Sequence, residues 1–573
     1  PTSYAYREGG RIVVVTSTQI PHIVRRVVGQ ALGIPWGRVR VVKPYIGGGF
    51  GNKQEVLYEP LNAWLCVEAG GRCVKLEASR EETFRNTRSR HPISFDVRAA
   101  VDGDGYLMAR SCVAVSDQGG YASHGHAIAA NAVTGFRQTY LDQLAHRSEA
   151  YTVYTNRPAP GAMRGYGIPQ CNFALECMME DIAREMGLDP YEFRYQNLMP
   201  PGYVDPLNGI TCHSTGAREC MEKGRRFLDW DGLRARYQNQ TGPVRRGVGM
   251  AVFSYKTGVY PISLETASNR MQLNLDGTVT MQCGETEIGQ GADTAYAQMT
   301  AKAVGLKSYK DVHVVSCQDT DITPTGLGAY ASRQTYMEGF AIDQTGRLLR
   351  QKILAYAAEM LNCLVEDLDI VEGNIVRRDG GAVEMDLSHL AMTAQYNPVH
   401  SEHITAESTA TIRSNAYSFG CTFAEVEVDI PMCKVTLKRI VNIHDCGSLI
   451  NPALAEAQVH GGMSMGIGYG LSEQLLFDEK TGKPLNNNLL DYKLSTVMDH
   501  PDLEALFVEN AEPTSPFGTK ALGEPPACSP APAIRSAIYN ATGVSIDTTP
   551  ITPHVLYRAF KEAGLIHDEK EGD

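Results

Sequence analysis

Two ionisable side chains stand in glycine- and proline-rich segments whose composition suits chemistry. Arg164 lies in PAPGAMRGYGIPQ (158–170), where a guanidinium beside glycine can approach a ligand and hold a carbonyl or enolate oxygen with two parallel N–H donors. Glu524 lies in KALGEPPACSPAPA (520–533), where Pro525 and Pro526 stiffen the chain and Gly523 permits close approach. A carboxylate on so rigid a loop suits a general base whose pKa burial can raise. Plainer readings exist for both: an ion pair at a helix entrance for Arg164 and a helix-start acid for Glu524. Three further segments, YIGGGFGNKQ (45–54), TEIGQGADT (286–294) and TGLGAYASRQ (325–334), set glycines among amide and hydroxyl side chains. Backbone N–H groups in such loops can meet an anion or the edge of a flat polar ligand. None spells a phosphate loop, since GGGFGNK lacks the Walker spacing and no G-x-G-x-x-G opens a helix after a strand.

The elements between these loops are legible from periodicity. Arg11 to Ser17, Arg38 to Tyr45, Val279 to Gly284 and Asp311 to Cys317 are β-branched runs that predict strands. PHIVRRVVGQALGI and ADTAYAQMTAKAVGL have apolar residues at three- and four-residue spacing and stop at Gly, which predicts helices. Longer helices are expected from Pro169 to Gly187 and from Tyr336 to about Leu364. Set side by side, these form a weak repeat. The first copy runs strand, STQI, helix, RVRVV and IGGGFGNK; the second runs strand, TEIGQG, helix, DVHVV and DTDITPTGLGAYAS. Common β-α-β grammar would also produce such a match, but two related halves facing each other across a ligand is the architecture it suggests. RYQNQTGPVRRGVG (236–249) is the candidate boundary, giving halves at 1–245 and 246–573.

Composition narrows the function class. The 573 residues carry 53 Lys and Arg against 65 Asp and Glu, a net charge of −12, with 43% hydrophobic residues and 55 glycines. An acidic chain with no basic cluster argues against a nucleic-acid duplex or an anionic membrane as partner and for a small molecule. No apolar run reaches the about 18 residues of a membrane span. The start, PTSYAYREGG, has neither a Met nor the pattern of a secretory signal, and reads as a processed product or a piece of a longer polypeptide, while unpaired cysteines suit a reducing cytoplasm. The 14 cysteines are scattered with no C-x-x-C, which supports neither zinc nor an iron–sulfur cluster in this chain. His124 and His126 in ASHGHAI are read as turn hydrogen-bonding residues rather than a metal pair.

STQ, GGGFGNK, GAMRGYGIPQ, EIGQG, AYASRQ, QVHGGMSMGIGYG and KALGEPP, in this order over nearly the whole chain, resemble the molybdenum-binding subunit of the xanthine dehydrogenase family. The resemblance implies an α+β (mixed α/β) fold of two related halves enclosing a molybdenum–molybdopterin cofactor, with a hammerhead-like domain before this segment. It leaves open whether the pterin is in its cytosine dinucleotide form. The implied reaction is hydroxylation of a purine, hypoxanthine or xanthine to urate, in purine catabolism. Water supplies the oxygen, a molybdenum-bound hydroxyl attacks an sp2 carbon, and hydride passes to a sulfido ligand. Because this chain has no cluster ligands and no dinucleotide fingerprint, the resemblance implies partner subunits carrying 2Fe-2S clusters and FAD, in a dimer of heterotrimers.

Carried over by position, Glu524 matches the family's general base and Arg164 the residue that stabilises negative charge on the substrate near the metal. Gln19 matches the glutamine that hydrogen-bonds the metal's apical oxo ligand, and Gly49, Phe50 and Gly51 match the loop near the metal. Gly289, Gln290, Gly291, Ala331, Ser332 and Gln458 match contacts to the pterin and its phosphate; Arg194 in EFRYQNL matches more loosely. Gln54 stands where family members that hydroxylate xanthine in animals have glutamate. A neutral amide can hydrogen-bond a purine but cannot exchange a proton with it, so another N-heterocycle such as nicotinate, or an aldehyde, stays open as substrate. Phe50 and Tyr260, the latter in TGVYPISLETA, are expected on the substrate channel. A non-catalytic pterin-binding paralogue is the rival from another class, opposed by the presence of both Glu524 and Arg164. The carbon monoxide branch is disfavoured because GAMRGYG lacks a cysteine.

Overall fold

The computed structural model describes residues 2–567 and is built mainly from one motif used four times: an antiparallel hairpin whose second strand leads through a helix to a parallel third strand. In the first use β1 (Thr2–Glu8) pairs with β2 (Arg11–Thr16), and α1 (Pro21–Leu32) leads to β3 (Val39–Val42). β4 (Val74–Glu77) then adds antiparallel to β1. The second use is β5 (Ile93–Val101), β6 (Leu107–Asp117), α2 (Gly125–Gly135) and β7 (Ala145–Val153). Helices α3 (Ile168–Glu185) and α4 (Pro190–Asn197) follow, and then β8 (Val244–Lys256).

The third use is β9 (Glu265–Leu273), β10 (Val279–Cys283), α5 (Ala292–Val304) and β11 (Val312–Val314), continuing into α6 (Gln334–Leu361). A small antiparallel sheet of β12 (Leu368–Val371), β13 (Asn374–Arg377) and β14 (Val383–Asp386) follows, and β15 (Thr405–Ile412) returns antiparallel to β9. The fourth use is β16 (Tyr417–Asp429), β17 (Lys434–Asp445), α7 (Pro452–Leu471) and β18 (Leu503–Phe507), after which comes α8 (Pro530–Thr542). Of the four crossover helices, α1 and α5 begin and end where the sequence predicts, whereas α2 takes in His126, which the sequence places in a turn. Proline opens α1 and α7, and left-handed Gly33 and Gly305 close α1 and α5.

The four motifs group crosswise. One compact unit holds residues 2–78, 257–415 and 513–519; the other holds 79–256, 416–512 and from 520 onward. Unit 1 contains the sheets β3-β2-β1-β4 and β11-β10-β9-β15, and unit 2 contains β5-β6-β7 and β18-β17-β16-β8. Each half of the chain therefore gives one motif to each unit, and the two copies read from sequence, both of which end in glycine loops, lie within unit 1. The compact units thus differ from a single cut at 245/246. The physical reason is pairing: β8, at that cut, runs antiparallel along β16 from Val244↔Asp429 to Lys256↔Tyr417, far later in the chain.

Each unit has its own core. In unit 1, Val14, Val24, Val28, Val39, Val41 and Ala63 pack α1 on its sheet. In unit 2, α8 lies directly on the backbone of β8, where a Cβ at Gly249 would come 2.1 Å from the Ala537 nitrogen. No helix among the described residues is long and apolar enough to cross a membrane.

Candidate active site

Arg164 and Glu524, 360 positions apart in sequence, meet within unit 2. The Gly165 N–H donates to Glu524 Oε1 at 3.0 Å, while Arg164 donates from Nε to the Gly523 carbonyl at 2.6 Å and from Nη2 to the Gln458 carbonyl at 2.9 Å. Burial lowers the pKa of the Arg164 guanidinium to about 10, against the opposing pull of Glu524, so it stays charged at neutral pH. The turn that carries it needs glycine. Gly165 has φ +95°, and a Cβ there would fall 2.5 Å from the Pro169 ring. Tyr166 beside it also has positive φ, 45°, and is tied down by its hydroxyl at 2.6 Å from His124 Nδ1 and by Asn131 donating to its carbonyl at 2.8 Å. That bond is the use the structure makes of His124.

The Glu524 loop is held from several sides. Pro525 and Pro526 form a short 3-10 turn, and the Ala527 and Cys528 N–H groups close it on the Glu524 and Pro525 carbonyls. Upstream, the buried Lys520 ammonium pairs with Asp445 at 2.8 Å, and Asp445 also accepts the Gly216 and Gly447 N–H groups at 2.8 and 3.1 Å. α7 packs on this turn through small residues at four-residue spacing. A Cβ at Gly462 would meet Pro526 at 2.5 Å and one at Gly466 would meet Pro530 at 2.7 Å. Gln458 is on this helix, half-buried, and its carbonyl is the acceptor for Arg164.

Unit 1 gathers the other predicted loops. The buried Gln19 carboxamide stands just before α1, its Oε1 accepting the Gly51 N–H at 3.0 Å and its Nε2 donating to the Ala329 carbonyl. A Cβ at Gly49 would fall 2.5 Å from Gln19 Oε1, so the side chain fills the space under that loop. Phe50 and Gly51 have φ of 54° and 105°, and the Phe50 ring is 47% exposed. The Gly48 N–H donates to the Ile288 carbonyl at 2.9 Å, joining this loop to the one that carries Gly289, Gln290 and Gly291. Gln290 occupies the position before α5 that Gln19 occupies before α1. Its carboxamide bonds the Ile288 N–H, the Thr286 carbonyl and Gln334, which spends it on the shape of its own loop. Ala331 and Ser332, with φ of 48° and 49°, sit in a third left-handed turn stitched by the Gly258 N–H to the Ala331 carbonyl at 2.8 Å.

Gln54 ends a 3-10 turn and is partly exposed, and Tyr260 is half-buried with its carbonyl accepting from Asn415 at 2.9 Å. Arg194 is elsewhere. Fully buried on α4, it donates to Glu176 at 2.7 Å, to Glu180 at 3.1 Å and to the Pro190 and Glu176 carbonyls, and these acids hold its pKa up against burial. Its donors serve the core of unit 2, which corrects its reading as a cofactor contact.

Sequence reasoning missed Arg333, fully buried in unit 1 between Glu265 and Glu285 and donating to the Gly328 and Thr266 carbonyls, which braces the AYAS turn from below. It also missed the Lys520–Asp445 pair, although Lys520 opens KALGEPP. Among the described residues no group of three or more His, Cys, Asp and Glu is arranged to hold a metal ion. The three left-handed loops instead present backbone N–H groups and an amide, a donor set suited to the edge of a pterin that itself carries a metal.

Two family models, each described as a molybdopterin cofactor-binding domain, match residues 2–198 and 223–501. A putative xanthine dehydrogenase molybdenum-binding subunit of Escherichia coli K12 is 50% identical over 568 residues, covering 99% of this chain and 75% of that protein. The chain belongs to the molybdenum-binding subunits of the xanthine dehydrogenase family. As such a subunit it is a molybdenum hydroxylase, an oxidoreductase whose cofactor is molybdenum–molybdopterin. The two models fall on the two copies of the repeat. Solved structures of Cu,Mo-CO dehydrogenase and of quinoline 2-oxidoreductase from Pseudomonas putida 86 superpose with TM-scores of 0.89 at 25% and 26% identity, each covering 98% of this subunit and 74% of the other chain.

Proposed function

We propose that this subunit hydroxylates a purine, hypoxanthine or xanthine, with water as oxygen source, in the cytoplasm. In this reading it passes electrons to an iron–sulfur subunit and an FAD subunit in a dimer of heterotrimers. The observation that carries the reading is the meeting of Glu524 with the Arg164–Gly165 turn, two groups that pterin binding alone does not require. The identity to a protein named as a putative xanthine dehydrogenase subunit supports the purine.

When bound, the molybdenum–pterin group accepts the two electrons of the oxidation and makes a water-derived oxygen acidic. Gln19, Gly49, Phe50, Gly51, Gly289, Gln290, Gly291, Ala331, Ser332 and Gln458 would hold it, Gln19 through its amide and the loops through backbone N–H groups. Glu524 takes the proton from the attacking oxygen, oriented by the Gly165 N–H. Arg164 stabilises negative charge that grows on the ring, a contact stronger in the transition state than in the ground state. Removing such a donor typically costs about 3 kcal/mol, a hundredfold or more in rate. Phe50 and Tyr260 line the substrate's approach, and Gln54 offers it a neutral amide.

Gln54 favours a second reading within the same chemistry, another N-heterocycle in place of a purine, because an amide cannot trade a proton with the ring. Glu524→Ala is expected to abolish turnover while molybdenum and pterin stay bound. The assay runs hypoxanthine, xanthine, nicotinate and aldehydes against a dye acceptor. Wild-type-like rates in that variant would refute the base assignment, and oxidation of nicotinate without purines would replace the substrate.

A further inference from the structure

The peptide that joins Arg164 to Gly165 is held at both ends. Its N–H donates to Glu524 Oε1 at 3.0 Å, and its carbonyl accepts from Arg90 Nη2 at 2.7 Å. This peptide is the centre of a β-turn, closed by the Tyr166 N–H on the Met163 carbonyl at 2.8 Å. With Gly165 at φ +95° in the third position, the turn is of type II. Type II and the commoner type I differ by a flip of the central peptide, which takes φ of the third residue from about +80° to about −90°. Glycine accepts either sign, so residue 165 does not choose between the two. In the type I form the Gly165 N–H would turn away from Glu524 and the Arg164 carbonyl would turn toward it, an oxygen facing a carboxylate.

Arg90 supplies the preference that glycine lacks. The chain on either side of it is laced to the segment that carries the turn: the Gly161 N–H donates to the Ser89 carbonyl at 3.0 Å, and Gln170 Nε2 donates to the His91 carbonyl at 2.9 Å. The Arg90 guanidinium carbon lies 5.5 Å from the centre of the Tyr469 ring on α7, a cation–π contact that steadies the group. Among the described residues no carboxylate forms an ion pair with Arg90, and its hydrogen-bond acceptor is the Arg164 carbonyl. A charged donor makes a stronger hydrogen bond than a neutral one. It also polarises the peptide it binds, so that the N–H at the other end becomes a better donor to Glu524. The two bonds reinforce each other through a single peptide unit.

We infer that Arg90 is a positioning residue for Glu524: its guanidinium holds the central peptide of the Met163–Tyr166 turn in the orientation that presents the Gly165 N–H to the carboxylate. This rests on Glu524 being the base. In this role Arg90 acts through the peptide and makes no contact with the reacting atoms.

Arg90→Ala in the molybdenum-loaded enzyme, assayed with a dye acceptor, tests it. The expected result is a fall in kcat of about ten- to hundredfold, the loss of one hydrogen bond from a charged donor, with KM within twofold and molybdenum content unchanged. The atoms removed are those of ethylguanidinium, so that ion at tens of millimolar should restore kcat severalfold, whereas the same concentration of sodium chloride should not. A crystal structure of the variant should show a type I turn, with φ of Gly165 negative and its N–H turned away from Glu524. Arg90→Met, which keeps the apolar stem, should lose as much kcat and carries the test should the alanine variant fail to fold. An unchanged kcat, a type II turn kept in the variant, a rate that ethylguanidinium leaves where it was, a fall in molybdenum content or a failure of both variants to fold would each overturn the inference. Glu524→Gln separates it from the reading on which it rests: wild-type turnover there removes the base assignment, and an inactive Glu524→Gln beside an unaffected Arg90→Ala removes only the role of Arg90.

Discussion

Gly462→Ala should damage catalysis far more than stability. On an exposed helix the change would stabilise by about 1 kcal/mol. Here the new methyl would stand 2.5 Å from Pro526 Cβ, 3.0 Å from the Pro526 carbonyl carbon and 3.1 Å from the Ala527 nitrogen. Two of those are backbone atoms of the turn that carries Glu524, and to reach ordinary contact the turn must move by about 1 Å. Overpacking of this kind costs about 1–3 kcal/mol, so the net loss of stability is about 0–2 kcal/mol. A displacement of that size at a reacting group can cost about a hundredfold in rate. Dye-coupled turnover on the best of the screened heterocycles should therefore fall ten- to hundredfold, with molybdenum content retained and Tm changed by a few degrees. Gly461→Ala is the contrast, since its methyl would meet nothing closer than Arg164 Nη1 at 3.5 Å, and it should raise Tm. A Gly462→Ala enzyme within twofold of wild-type kcat would refute the claim that this helix sets the position of Glu524.

Gly49→Ala puts a methyl 2.5 Å from Gln19 Oε1 and must displace that amide from the Gly51 N–H, so molybdenum and pterin recovered per subunit should drop while the fold of unit 2 is untouched. Metal analysis and circular dichroism check it. His444 is fully buried beside Phe253, and burial, with help from the Lys520 ammonium, lowers its pKa to about 3. A histidine with a depressed folded pKa contributes stability that is complete above its unfolded value of about 6.5 and is lost as pH falls toward 3. At pH 5 the loss is about 2 kcal/mol. Tm should fall between pH 7 and 5, and less so in His444→Leu; parallel curves for the two proteins would contradict this.

Much of the local structure was legible because its signals are local. Proline at the start and glycine at the stop delimit α1, the helix over Pro169 to Gly187 is α3 to within two residues, and the glycine loops carry the backbone angles their composition demands. Other features depend on partners hundreds of residues away, which no spacing rule reaches. Arg194 is a cofactor contact only by loose resemblance; it is consumed by Glu176 and Glu180 on α3, a helix legible from its opening proline and closing glycine, which say nothing of the partners of its acids. Lys520 lies in KALGEPP, but a buried ion pair leaves no trace until the fold brings Asp445 to it. The predicted strands Arg38 to Tyr45 and Asp311 to Cys317 shorten to β3 and β11, and the first leaves its ladder at Val42, which bridges to Asp319.

The crosswise sharing of motifs has a consequence for biosynthesis. A growing chain usually buries one domain's apolar surface before the next is made. Here the first hairpin and crossover, complete by residue 42, wait for partners that end at Ile412, and β5 to β7 wait for strands beginning at Tyr417. At about 5–20 residues per second that delay lasts tens of seconds, during which both units stay incomplete. No prefix that stops short of Thr519 contains either finished unit, so a chain cut near residue 245 would leave each compact unit without the motif that the other part supplies.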